Sequence, residues 1–100
     1  MTERLTDADI ETALAALQSW RRDGDALIKD VPITDDNFGW LSEAVTNEAE
    51  TLGHHPDIQR TADGVRFSLT THEAGGVSPR DVELAARIDQ ILSGGARDRG

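Results

Sequence analysis

The feature that most constrains the fold is a turn signal followed by strictly alternating side chains in the second half of the chain. The dipeptide Asp63-Gly64 is typical of tight β-hairpin turns. Side chains of a strand point alternately to opposite faces, and here two alternating sets are found: Val65, Phe67, Leu69 and Thr71 against Arg66, Ser68, Thr70 and His72. The pattern predicts an antiparallel hairpin of residues 57–62 and 65–71, with His72 on its polar face if the strand continues.

Three other segments carry apolar residues at helical spacing, each behind a residue that can cap a helix. Thr6, Thr34 and Ser78 are the N-cap candidates, because a hydroxyl can accept from an unpaired backbone N–H of the first turn. Gly53 is predicted to end the second helix. The predicted buried positions are Ile10, Ala13, Leu14 and Leu17, then Phe38, Leu41, Val45, Ala49 and Leu52, then Leu84, Ala85, Ile88, Ile91 and Leu92.

The remaining segment, residues 20–33, is predicted to form a second hairpin that turns near Gly24 and ends at Pro32. The element order α-β-β-α-β-β-α then predicts an α+β fold, a four-stranded antiparallel sheet with three helices on one face. No linker or repeat interrupts the chain, so residues 1–100 are expected to form a single domain with a frayed tail at 93–100. The other sheet face would be open to a ligand or a second subunit.

Charge and residue usage limit the partners. The formal net charge is −9 and the ten basic residues are not clustered, so we expect no direct nucleic-acid binding. The absence of cysteine excludes disulfides, thiolate metal sites and thiol nucleophiles. No apolar run reaches membrane-spanning length, and the N-terminus lacks the apolar core of a signal peptide. We therefore expect a cytoplasmic protein with no membrane partner.

The three histidines of the chain, His54, His55 and His72, all fall within one short stretch. Imidazoles exchange protons near neutral pH, so a cluster of them is a candidate for acid-base catalysis. A solvated histidine pair at a helix exit with a third histidine on an exposed strand explains the same pattern. Both interpretations stay open at this point.

Two glutamates stand close to the histidines in sequence. Glu50 lies one helical turn before His54, and Glu73 directly follows His72. Either carboxylate could orient an imidazole or accept a hydrogen bond from a polar ligand. With nineteen acidic residues in the chain, chance proximity is the alternative for each.

Metal and phosphate sites find less support. The sequence has no HExxH motif, no cysteine pair and no third helical ligand, so no metal is expected. The pair Gly75-Gly76 lacks the lysine and the other glycines of a phosphate loop. It is predicted to act as a flexible hinge.

Taken together, these residues resemble the pterin-4a-carbinolamine dehydratase family, also called the 4a-hydroxytetrahydrobiopterin dehydratases. The resemblance covers the second half of the chain. Its most specific part is His54-His55-Pro56, followed at the family's interval by Thr70-Thr71-His72 and a glycine pair before a helix. The segments that carry it are residues 48–57, 65–78 and 81–89.

The resemblance implies a hydro-lyase that removes water from 4a-hydroxytetrahydropterin without a cofactor, giving quinonoid dihydropterin in tetrahydropterin recycling. It implies catalytic roles for His54, His55 and His72, with proton transfer by His54 and His72. His55 would mainly hold the pterin ring, and Glu50 and Glu73 would be the other substrate-binding or orienting groups. It also implies a homodimer or homotetramer.

The chain departs from the family pattern at three positions. Ile58 and Ala62 stand where many members carry tryptophan and tyrosine, and Gly53 stands where aspartate or asparagine is frequent. Losing two aromatic side chains could weaken ligand stacking. The alternative function is therefore a protein-binding or assembly module that keeps the fold without the chemistry.

Overall fold

The computed structural model describes residues 3–95. Its elements follow the predicted order and confirm the α+β fold with a four-stranded antiparallel sheet. They are α1 (Asp7–Ala16), β1 (Arg21–Asp23), β2 (Ala26–Pro32), α2 (Asp35–Leu52), β3 (Asp57–Arg60), β4 (Gly64–Leu69), a 3-10 turn (His72–Ala74), α3 (Pro79–Gln90) and a π-helical turn (Ile91–Gly95). Of the predicted frayed tail, residues 93–95 belong to that last turn, and residues 96–100 lie outside the described part.

The sheet has the strand order β1-β2-β4-β3, so the two longest strands lie at its centre. Leu27 pairs with Leu69 and Val31 with Val65, so their side chains share one face. On the outer hairpin, Asp57 pairs with Ser68. The alternation read from the sequence thus separates a helix-facing side from an open side.

The core lies between the sheet and the helices. Phe67 and Leu69 are fully buried on the helix-facing side of β4, and the buried apolar stripes of the helices cover them. Burial of apolar surface is the main favourable term in folding. The buried residues of the helices are Ile10 in α1, Leu41, Val45 and Ala49 in α2, and Leu84, Ala85 and Ile88 in α3.

A charged side chain on the helix-facing side of the sheet joins it to the third helix. Lys29 of β2 reaches across to Asp89 of α3, with 2.7 Å between its Nζ and Asp89 Oδ1. The indole Nε1 of the buried Trp20 donates to the same oxygen at 2.9 Å. The ammonium and the indole therefore find an acceptor where the sheet meets the third helix, as buried polar groups require.

The predicted caps are confirmed for two helices. Thr6 and Ser78 each accept from a backbone N–H of the first turn within a full capping box. Thr34 occupies the N-cap of α2, but its hydroxyl accepts from the Asn37 side chain instead of capping. Gly53 ends α2 with φ 68°, a left-handed conformation that favours glycine.

The segment after β4 differs from the prediction. Strand pairing stops at Leu69, and the predicted hinge is a closed loop in which Thr71 pairs with Gly76. Thr71 N–H donates to the Gly76 carbonyl at 3.0 Å, and Gly76 is buried beside the Arg4 side chain. Gly75 allows the reversal through its left-handed φ of 76°. These backbone hydrogen bonds leave no signal in the sequence, which is why the glycine pair was predicted to be a flexible hinge.

Candidate functional site

The fold brings two histidine segments to the same end of the β3–β4 ladder. After α2 ends at Gly53, Pro56 leads directly into β3, whose first residue lies opposite Ser68 of β4. The other segment follows the end of β4, where the 3-10 turn begins at His72. Antiparallel pairing therefore places the start of one strand beside the end of the next.

Between these two segments lies a cavity of about 400 Å³, which we call the histidine cavity. Small-molecule pockets usually measure about 300 to 1,000 Å³, so the volume of this cavity is suited to a ligand such as a fused two-ring heterocycle. His55 and His72 both contribute to its wall, as do Pro56, Asp57, Ser68 and Thr70. The sequence did not mark these last four as site residues, although Ser68 and Thr70 alternate on the predicted polar face that includes His72.

His54 has different surroundings from its neighbour His55. Its Nε2 lies 2.5 Å from Oδ1 of Asp81, and 11% of its side chain is exposed. It does not contribute to the wall of the histidine cavity, whereas His55 and His72 are exposed there. The structure thus brings His55 and His72 together on one cavity and holds His54 against a carboxylate.

Asp81 is a site residue that was not among the candidates chosen from sequence. Its side chain is fully buried, with Oδ2 accepting the Ser78 N–H at 2.9 Å in the capping box of α3. The other carboxylate oxygen is the one that contacts His54. A carboxylate that caps a helix with one oxygen leaves its second oxygen available to a neighbouring side chain. A capping box close to a histidine segment could therefore have marked Asp81 in the sequence.

The two glutamates proposed as orienting groups lie elsewhere. Glu50 and Glu73 are both exposed. Within residues 3–95, neither carboxylate makes a hydrogen bond or ion pair with a histidine, and the acidic group that does so is Asp81. Their role in binding stays a prediction.

Two other cavities help to locate the chemistry. A smaller one of about 260 Å³ adjoins the histidine cavity and shares Thr70 and His72 with it; its other walls are Asp25, Ala26, Gly75 and Gly76. The larger turn cavity, of about 470 Å³, lies at the opposite end of the sheet, with walls from Asp30, Val31, Pro32, Thr61, Ala62, Asp63 and Arg66. Because Asp30 and Arg66 pair with each other and no histidine is present there, the histidine cavity is the better site for acid-base chemistry.

Known proteins are similar to this chain in sequence. The family model described as Pterin 4 alpha carbinolamine dehydratase matches residues 3–91. The chain belongs to this family. Among curated relatives, one from Nocardia farcinica is 42% identical over 93 residues, covering 90% of this chain and 96% of its own. Another from Koribacter versatilis is 37% identical, covering 91% and 98%. Both are named "Putative pterin-4-alpha-carbinolamine dehydratase".

A solved structure supports the fold of this dehydratase family member. The transcriptional coactivator/pterin dehydratase from Brucella melitensis superposes with a TM-score of 0.83 at 27% sequence identity. The match covers 89% of this chain and 98% of the Brucella chain.

The two positions at which this dehydratase family member lacks an aromatic residue, Ile58 and Ala62, lie away from the histidine cavity. Ile58 is half-buried against the hydrophobic core, since it pairs with Phe67 on the helix-facing side of the sheet. Ala62 is exposed and borders the turn cavity. Neither position contributes to the wall between His55 and His72.

Residues 3–95 contain neither a cluster of metal ligands nor a membrane-spanning helix. No group of three or more His, Asp or Glu side chains is placed to hold a metal ion in this part of the chain. Over the same residues, no helix is both long enough and apolar enough to span a lipid bilayer.

Proposed function

We propose that the chain dehydrates a 4a-hydroxytetrahydropterin to quinonoid dihydropterin by histidine acid-base catalysis, as a step in tetrahydropterin recycling. The observation that carries the proposal is the histidine cavity, where His55 and His72 face a space of bicyclic size. Membership of the dehydratase family gives the substrate class.

The reaction needs two proton transfers. The C4a–O bond breaks while the N5–H proton departs, so a C4a=N5 double bond forms and water leaves. Hydroxide is a poor leaving group, so an acid must protonate the 4a oxygen as a base accepts the N5 proton. Two imidazoles in opposite protonation states supply both functions.

The surroundings of the histidines suggest how the roles divide. His72 is exposed on the cavity wall and is our candidate for the acid that protonates the leaving hydroxyl. His54 does not border this cavity but stays our candidate for the base, because the Asp81 carboxylate at its Nε2 would stabilise the imidazolium that forms. His55 would hold the ring from the adjacent position, with Glu50 and Glu73 as further contacts of a bound substrate.

A dehydration assay on the intact chain and its single alanine variants tests the proposal. General acid-base help is worth roughly a hundred- to ten-thousandfold. We expect His54→Ala and His72→Ala to lower kcat within that range, and His55→Ala to act mainly on KM. Gln18→Ala is the control, since this exposed residue borders none of the three cavities and should keep full turnover.

Each outcome of this assay is informative. If the intact chain does not accelerate dehydration above the buffer rate, the dehydratase proposal is wrong. If His54→Ala turns over at the wild-type rate while His55→Ala loses kcat, then His55 is the base and His54 is not.

The second candidate function is a protein-binding or assembly module. The observation in its favour is the name of the Brucella structure, which joins a coactivator to the dehydratase. An inactive but fully folded chain would favour this module.

Self-association is a separate expectation. We infer a homodimer or homotetramer, because β1 and β3 are edge strands that each pair on one side only within residues 3–95. Light scattering of the purified chain tests this inference.

A further inference from the structure

The carboxylate of Asp81 is held from three directions. Oδ1 meets His54 Nε2 at 2.5 Å, and Oδ2 accepts the Ser78 N–H at 2.9 Å. The Thr71 hydroxyl donates to Oδ2 at 2.8 Å, and its oxygen also lies 3.4 Å from His54 Nε2. Asp81 and Ser78 are fully buried and Thr71 is 1% exposed, so these bonds form without competing solvent.

The hydroxyl groups around Asp81 can be ordered by direction. An ionised carboxylate only accepts, so Thr71 must give its hydrogen to Asp81. The 2.7 Å contact between the Thr71 and Ser78 hydroxyls is then donated by Ser78, whose oxygen accepts the Arg80 N–H at 3.3 Å. Every hydrogen in this series of hydrogen bonds, from Arg80 through Ser78 and Thr71, therefore points toward Asp81.

This direction decides which nitrogen of His54 carries a proton. A carboxylate at 2.5 Å requires a hydrogen on the Nε2 of His54. The Nδ1 of the neutral ring is then left as the proton acceptor, since the partner of one ring nitrogen sets the state of the other.

We propose that Thr71 is a positioning residue for His54. Thr71 acts through Asp81 and does not touch the substrate. Its hydroxyl holds the Asp81 carboxylate in place and aimed at Nε2, so that Nδ1 stays free to accept a proton. The use of this tautomer in catalysis rests on the proposed dehydratase function, whereas the presence of the tautomer in the free protein does not depend on that function.

The test compares Thr71→Val, which removes the hydroxyl at nearly constant shape, with Thr71→Ser, which keeps it. Long-range ¹H–¹⁵N NMR of the full chain without substrate reports which nitrogen of neutral His54 is protonated. We expect wild type and Thr71→Ser to show protonated Nε2 and bare Nδ1, and Thr71→Val to show a mixture of tautomers. Loss of an outer-shell partner typically lowers activity about 10- to 100-fold, and we expect that loss in kcat with little change in KM.

Ser78→Ala separates positioning from a merely structural role. This variant loses the hydroxyl that caps α3 but keeps the backbone N–H on Asp81, and Thr71 can still donate. We expect a lower melting temperature with an unchanged His54 tautomer. If Thr71→Val does not fold, Thr71→Cys replaces it, since a thiol matches the size of the serine variant but donates weakly.

A folded Thr71→Val or Thr71→Cys chain with the wild-type His54 tautomer overturns the proposal. A change of tautomer in Ser78→Ala equal to that in Thr71→Val also overturns it, because the effect would then follow helix capping. If no form of the chain dehydrates the substrate, the proposed function fails while the NMR result still decides the role of Thr71.

Discussion

Two glycines show how much the cost of one added methyl group depends on its place. A Cβ at Gly64 would clash with the Val31 carbonyl and lie 2.6 Å from Ile33 N and 2.9 Å from Pro32 Cα, all of them backbone atoms. A Cβ at Gly39, within α2, would meet nothing within 4 Å. The first glycine is therefore required by close strand approach, whereas the second is not.

We predict opposite effects for the two alanine variants. Gly64→Ala should destabilise the chain by about 1–3 kcal/mol or more, because it overpacks the hairpin. Gly39→Ala should stabilise it by about 0.5–1 kcal/mol, because glycine is a poor residue inside a helix. Urea unfolding of both variants measures this difference, and a shift of the same sign in both would contradict it.

At the residue scale, all three histidines fall within one short stretch of sequence, and the structure sets two of them, His55 and His72, on one cavity. Their catalytic roles stay predictions. The partner of His54 could not be read, because Asp81 lies 27 residues away and reaches it only through packing of α3. Proximity in sequence favoured Glu50, which is exposed.

At the level of elements, the open side of the sheet is organised by charge. Asp30 of β2 accepts from Arg66 of β4 at 2.7 Å and from Arg21 of β1 at 3.0 Å. The hydrogen bond from Arg66 lowers the pKa of Asp30 most; desolvation opposes this lowering, and the hydrogen bond from Arg21 adds to it. This cluster joins three neighbouring strands across the open face.

The pH dependence of stability should follow from this lowered pKa. The stabilisation is fully present above the unfolded-state pKa of about 3.9 and is lost as the pH falls through the lower folded-state value. We expect Asp30→Asn to flatten the acid side of a plot of unfolding free energy against pH. The difference should shrink in about 1 M salt, since the group is exposed and screening is then strong. An identical acid limb in both proteins would exclude the effect.

Elements were predictable where a start or stop signal coincided with a periodic apolar pattern. The helix ends marked by Thr6, Ser78 and Gly53 were correct, because caps satisfy backbone groups of the helix itself. The loop from Thr71 to Gly76 was not predictable, because its backbone bonds join residues that carry no such signal.

At the level of the whole molecule, the site is a product of topology. The exit of α2, the start of β3, the end of β4 and the capped start of α3 all meet at one end of the sheet. A buried network through Thr71 and Asp81 ties His54 to the third helix, and the paired strands hold His55 and His72 on one cavity. The order of elements and the family both follow from sequence, whereas this meeting of loops requires the fold.

The central claim is that the pterin binds in the histidine cavity. The most direct test is an NMR titration of the ¹⁵N-labelled chain with a 7,8-dihydropterin that cannot dehydrate. We predict shifts of the His55 and His72 imidazoles and of the Asp57 and Ser68 amides, which border that cavity. Shifts at Thr61 in the turn cavity with both imidazoles unmoved, or no shifts at a saturating dihydropterin concentration, would contradict it.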